Sequence, residues 1–248
     1  MATILGVHGA FHEMWGPTQI LHRWQPALQD GVLIAGGTLP ADAVAVAFYG
    51  DLFRHDPSDG ALSDDALRAI ARESGLADLA HHALGPDAVS LLAQALGEDM
   101  LRRTVDQVGH YFGDDQVGTD VRARVSAAVQ PDTRVVVAHS LGSIVAYDCL
   151  RAHPDWAIET LVTIGSPLGN RGLVLAHLDA DPGWPGGLQR WVNITAPSDQ
   201  VCAGSRLAEI YDPRVEDLVV DNGHRGHDPE PYLCARATGQ VLRDTLGC

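Results

Sequence analysis

Lysine is absent from the 248 residues, so all 17 Lys-plus-Arg cations are arginine, and they stand against 32 Asp and Glu for a formal net charge of −15. A surface of that sign repels phosphate backbones and anionic headgroups, so no nucleic-acid partner is expected. The arginine-only basic set, beside abundant Ala, Gly and Asp, looks like GC-rich coding rather than a functional device. Nowhere does an apolar run approach the roughly 20 residues that a membrane span needs, and no integral membrane association is expected. The N-terminus lacks a basic stretch followed by an apolar one, so the expected location is cytoplasmic. Cysteine is scarce: Cys149, Cys202, Cys234 and Cys248 show no C-x-x-C spacing. In a chain of this size such cysteines are reduced, mostly buried thiols rather than a disulfide framework.

The 46% hydrophobic content can supply a full buried core, which excludes global disorder. Short apolar or β-branched runs recur at 3–9 (TILGVHG), 44–49 (VAVAFY), 134–138 (RVVVA), 160–164 (TLVTI), 190–195 (RWVNIT) and 215–220 (VEDLVV). Runs of this length without alternation are strands buried on both faces of a parallel sheet. Helical stripes lie between them, such as Val117, Val121, Val125 and Val129 at every fourth position. Strand alternating with helix predicts an α/β class: a mostly parallel central sheet flanked by helices, in a single domain over 1–248. From about 60 to 130 only helical patterns appear, with Val89, Leu92 and Leu96, then Leu101, Val105, Val108 and Phe112. This stretch is a helical insertion before the strand at 134. It is expected to cover a sheet face, with a substrate-contacting lid as the alternative. Pro182, Gly183, Pro185, Gly186 and Gly187 mark a loop.

The segment RVVVAHSLGSIVAYDCL at 134–150 carries the most chemistry. A buried strand runs into Ala138-His139-Ser140-Leu141-Gly142 and then into a helix-compatible stretch. In such a strand-turn-helix the serine sits on a tight, strained turn that needs small residues two places before and after it. Gly142 meets the second need, and Ala138 adds one methyl where glycine is usual. Ser140 is thereby lifted to the open end of the sheet, where the first N–H groups of the helix converge. Ser166 in IGSP lacks that pattern and reads as a loop residue.

On these residues the chain resembles the α/β-hydrolases, in particular the small bacterial lipase-like and esterase-like serine hydrolases. HGAF at 8–11 resembles their oxyanion loop after the first strand, and TLVTIGSPLG at 160–169 resembles the strand and loop after the nucleophile helix. The serine, acid and histidine candidates also come in that chain order. The resemblance implies Ser140 as nucleophile. It implies Asp199 as acid, after the strand at 190–195, with a helix-capping aspartate as the plainer alternative and Asp179 or Asp181 as substitutes. The base is His227, ahead of a tyrosine and a helix from about Pro229, in preference to His224. His224 and His227 without a third ligand make no metal site. The oxyanion donors are the backbone N–H of Leu141 and of Ala10, with Phe11 in reserve. His8 is expected to be a structural hydrogen-bonder and His139 to have no chemical duty.

The implied activity is cleavage of a carboxylic ester through a Ser-His-Asp triad and an acyl-enzyme, without a cofactor. A small-molecule acyl ester or thioester is the expected partner. A thioesterase, or an acyltransferase or cyclase, would use the same groups, and a non-catalytic binding module on the same fold is the alternative from another class. Asp51 reads as a turn or cap residue. Trp15, Trp24, Phe48, Phe53 and Trp184 belong to the core or to the walls of an acyl pocket.

Overall fold

The computed structural model of the chain describes residues 3–54, 107–170, 174–175, 177, 182–199, 201–202 and 205–248. Six strands lie among them: β1 (Ile4–Val7), β2 (Val44–Ala47), β3 (Val135–His139), β4 (Thr160–Ile164), β5 (Arg190–Thr195) and β6 (Glu216–Val219). Each overlaps an apolar run expected from the sequence. They form one sheet in the order β2-β1-β3-β4-β5-β6, with every pairing parallel.

Parallel neighbours need crossover connections, and the right-handed crossover decides which face each connecting helix covers. The step from β1 to β2 runs one way along the sheet through α1 (Pro17–Ile34). Every later step runs the other way, so α2 (Asp115–Ala128) and α3 (Leu141–Ala152) lie on the opposite face. The rest of the α1 face is covered when the chain returns there after β6 as α4 (Pro229–Leu233) and α5 (Arg236–Leu246).

Side chains alternate across each strand, and β3 divides the two cores accordingly. Val135 and Val137 pack with Ile20, Leu28 and Leu242 on one side, while Val136 and Ala138 pack with Val125, Ile144 and Tyr147 on the other. Each such aliphatic side chain, fully buried, contributes roughly 1.5–3 kcal/mol relative to exposure. The valine stripe of α2 behaves as its spacing predicts, with Val121 and Val125 buried, although the helix ends one residue short of Val129. Asp114 caps this helix by accepting from the N–H groups of Gln116 and Val117 at 2.9 and 3.1 Å.

Residues 107–113 are helical, and Val108 and Tyr111 from them are buried against the α2 and α3 layer. The described part of the 60–130 insertion therefore covers the sheet. Val89, Leu92, Leu96, Leu101 and Val105, and with them the lid alternative, lie outside the described residues. The helix expected from Pro229 onward is two helices. Ala235 is extended (φ −62, ψ 140), and the Thr238 hydroxyl donates to the Tyr232 carbonyl at 2.6 Å across the break.

Strand order reverses between β1 and β3, so the connections leaving their carboxyl ends diverge. In parallel α/β sheets that divergence opens the crevice where ligands bind. The loop after β1 and the turn after β3 both lie there.

Candidate active site

Ser140 alone separates the end of β3 from the start of α3. Its φ of 52 and ψ of −128 lie where a residue other than glycine seldom sits. Such a conformation costs on the order of 1–3 kcal/mol and must be held by its surroundings. The Ser140 N–H donates to the Ile164 carbonyl at 3.2 Å. Its own carbonyl accepts from the Ser143 N–H at 2.9 Å and from the Ser143 hydroxyl at 2.6 Å. Ser143 in turn meets Ser166 at 2.7 Å, and Ser166 accepts from the Leu168 N–H at 3.2 Å. Ser166 is thus a loop residue, as expected, but one that braces the turn.

Gly142 also meets a demand from outside the turn. A Cβ there would run into the carbonyl oxygens of Val7 and His8, because β1 and its loop pass directly over the turn. A Cβ at Gly9 would sit 2.7 Å from Cβ of Ser140. The Ala138 methyl, by contrast, is accommodated in the core at 0% exposure.

Three expected residues, carried by three separate connections, meet at this edge. His227 Nε2 lies 2.8 Å from Ser140 Oγ, and His227 Nδ1 lies 3.0 and 2.9 Å from the two carboxylate oxygens of Asp199. An ionised carboxylate only accepts, so Nδ1 carries the proton and donates. In the neutral ring Nε2 is then bare and accepts from the serine hydroxyl.

Asp199, 1% exposed, also accepts from the Tyr232 hydroxyl at 2.7 Å and from the Val201 N–H at 2.9 Å. Burial alone would raise its pKa; the His227 contact, the Tyr232 hydroxyl and the Val201 N–H outweigh it and hold the carboxyl at about 2. The Val201 contact belongs to a turn, with Val201 and Cys202 not helical, so it is a local turn bond rather than the helix cap that was the plainer alternative. Gly165, at φ 53 after β4, makes room for the pair: a Cβ there would stand 2.8 Å from Asp199 Oδ2 and 3.2 Å from His227 Nδ1. His224 is exposed on the turn Gly223–Arg225. Asp179 and Asp181 lie outside the described residues.

The loop after β1 is pinned from several sides. His8 is fully buried; burial first, then neighbouring His12, depress its pKa to about 3, so its ring is neutral. Its Nδ1 donates to the Gly9 carbonyl at 2.7 Å, and its Nε2 accepts from the Tyr49 N–H at 3.3 Å. The Tyr49 hydroxyl donates to the His8 carbonyl. His8 is the structural hydrogen-bonder expected of it. His12 Nδ1 lies 2.8 Å from the Ala10 carbonyl. Phe11 adopts φ 67, and its N–H donates to Gln107 Oε1 at 3.2 Å, while Gln107 Nε2 donates to Glu13 at 2.9 Å. Phe11 is thereby engaged. The Ala10 N–H makes no backbone hydrogen bond among the described residues, and the Leu141 N–H belongs to the first turn of α3, whose donors lack intrahelical acceptors.

Other expectations resolve simply. Asp51 faces Arg124 of α2 at 3.3 Å. Trp24 and Phe53 are core residues, whereas Trp15, Phe48 and Trp184 are only partly buried. Cys149 and Cys202 are buried, Cys234 and Cys248 are partly so, and all four are free. Among the described residues no cluster of three His, Cys, Asp or Glu side chains suits a metal ion, and no helix is long and apolar enough to cross a membrane. No local pattern marks Tyr232, Gly165, Ser143 or Gln107 for the site, because their partners lie 23 to 96 residues away.

No protein-family model and no curated protein matches the chain. Among solved structures it is similar to a putative α/β-hydrolase from Agrobacterium tumefaciens, at 14% identity and a TM-score of 0.43 over 99% of this chain and 87% of that one. It is also similar to an esterase from Pyrobaculum calidifontis, at 13% identity and 0.44 over 99% and 74%. One of two fungal esterases from Rhizomucor miehei matches at 13% and 0.43 over 100% and 75%. Likenesses this distant carry no argument about activity. The open parallel sheet with a strained serine between a central strand and its following helix is itself the α/β-hydrolase arrangement.

Proposed function

We propose that the chain is a serine hydrolase that cleaves a carboxylic ester. The observation that carries this is the relay Ser140 Oγ to His227 Nε2 at 2.8 Å and His227 Nδ1 to buried Asp199 at 2.9 Å. Ser140 Oγ attacks the acyl carbonyl while His227 Nε2 takes its proton. Asp199 stays ionised, fixes the tautomer and stabilises the imidazolium that forms. The tetrahedral oxyanion is held by the N–H groups of Leu141 and Ala10; such donors typically stabilise the transition state by about 2.7–4 kcal/mol each. His227 then returns the proton to the leaving alcohol, and water, activated by the same imidazole, releases the acid.

The test is a fluorophosphonate probe on the intact protein, with the labelled residue read by mass spectrometry, followed by turnover of p-nitrophenyl esters of increasing chain length. Labelling at Ser140, abolished in Ser140→Ala, together with ester turnover is the expected result. Folded protein that takes no label and turns over no ester would overturn the proposal.

A further inference from the structure

His139 precedes the nucleophile and was expected to have no chemical duty, yet it is buried, and its ring is centred 4.6 Å from that of His227. Its Nε2 lies 2.9 Å from the backbone carbonyl of His227. A carbonyl oxygen only accepts, so Nε2 must carry the proton. Burial, and then the adjacent His227, hold the His139 pKa well below the usual imidazole range, so the ring has just this one N–H to give. Its Nδ1 is bare, buried and without a partner, and it faces Gly9, where a Cβ would stand 3.1 Å away.

The loop that carries His227 needs a tie of this kind. Asp221, Gly223, His224, Arg225 and Asp228 are exposed, and the turn bends through positive φ at Gly223 and Gly226. Its backbone bonds, Arg225 N–H to Asn222 and Asp228 N–H to Arg225, are internal to the loop, as is the Asn222 side chain to the Gly226 carbonyl. Bonds of that kind let a loop move as a unit. The His139 bond reaches it instead from β3, a central strand buried on both faces and covalently joined to Ser140.

We propose that His139 is a positioning residue, which anchors the backbone of the base to the strand that carries the nucleophile and so sets the Ser140 to His227 distance. This rests on the hydrolase reading of the site. A misplacement of about 1 Å in such a pair can cost on the order of a hundredfold in rate.

The test compares His139→Leu, His139→Asn and His139→Gln. A glutamine amide places a donor where Nε2 was; an asparagine amide reaches only to the Nδ1 position; leucine keeps bulk without a donor. Hydrogen exchange of the amides at 221–228 reads the tie directly, and p-nitrophenyl ester kinetics read its consequence. The expected result is faster exchange in that loop and a roughly ten- to hundredfold lower kcat at nearly unchanged KM for the Leu and Asn variants, with Gln restoring both. Loop exchange in His139→Leu equal to that of the parent would overturn the proposal. So would a Gln variant no better than Leu while all three remain folded, since bulk alone would then matter. If the parent neither labels at Ser140 nor turns over ester while the exchange contrast holds, the anchor stands and the hydrolase reading falls.

Discussion

Tyr232 shows how much of the site depends on a single polar atom. Its ring is fully buried, with the hydroxyl 2.7 Å from Asp199 Oδ2 and 3.8 Å from Cys202 Sγ. Burial, and then the Asp199 charge, push its pKa up, so the phenol remains a donor throughout the working range. A hydrogen bond to a charged group typically contributes about 1.5–3 kcal/mol. Tyr232→Phe keeps the ring and removes the donor, so we expect a stability loss of about that size by urea unfolding. Ester turnover should fall as well, because Asp199 would retain His227 and the Val201 N–H but lose one of its three holders. Unchanged stability and rate would mean that the other two donors suffice.

Among the elements, the crossing of α1 and α5 is closer than large side chains permit. A Cβ on Gly239 would collide with the carbonyl of Gly31, and where α1 also meets the end of α4 a Cβ on Gly31 would stand 2.5 Å from the carbonyl of Leu233. Both neighbours are helix backbone and cannot rotate aside. Gly239→Ala would normally favour a helix by about 0.8–1 kcal/mol. Here it must push two helices apart, and overpacking of this kind costs about 1–3 kcal/mol. The expected result is a lowered midpoint of thermal unfolding, with Ser140 labelling retained, since the crossing lies on the face away from α3. A raised midpoint would mean that the helices separate freely.

Acid should destabilise the folded chain well before its carboxylates protonate. His8 is held at about 3 and His139 well below the usual range, both first by burial, while an unfolded histidine titrates near 6.5. Between those values the unfolded chain binds protons that the folded chain refuses, so stability is full above about pH 6.5 and falls with pH, by about 1.4 kcal/mol per unit for each group. Asp199, depressed to about 2, adds its own loss only below the unfolded carboxylate value near 3.9. A urea-unfolding series from pH 7.5 to 4 should show uptake of more than one proton on unfolding; a flat profile would contradict neutral buried histidines.

β1, β3 and β4 were legible because each is a continuous apolar or β-branched run that is buried along its whole length, whereas the edge strand β6 carries Glu216 and Asp217 and is exposed or half-buried, which the expectation of burial on both faces did not allow for. Ser140 was legible because its turn imposes local steric demands that Ala138 and Gly142 answer within five residues. Asp199 and His227 could be nominated by chain order, but their separation from Ser140 by 59 and 87 residues kept alternatives open. What joins them is the strand order: the reversal between β1 and β3 and the parallel neighbours β4 to β6 bring five connections to one edge. The demand for glycine at 165, the brace from Ser143 to Ser166 and the hold of His139 on the base are contacts between those loops. Local sequence therefore determined the elements and the strained turn. Only the packed sheet decided which distant residues share a proton, because that depends on distances between strands and not on spacing along the chain.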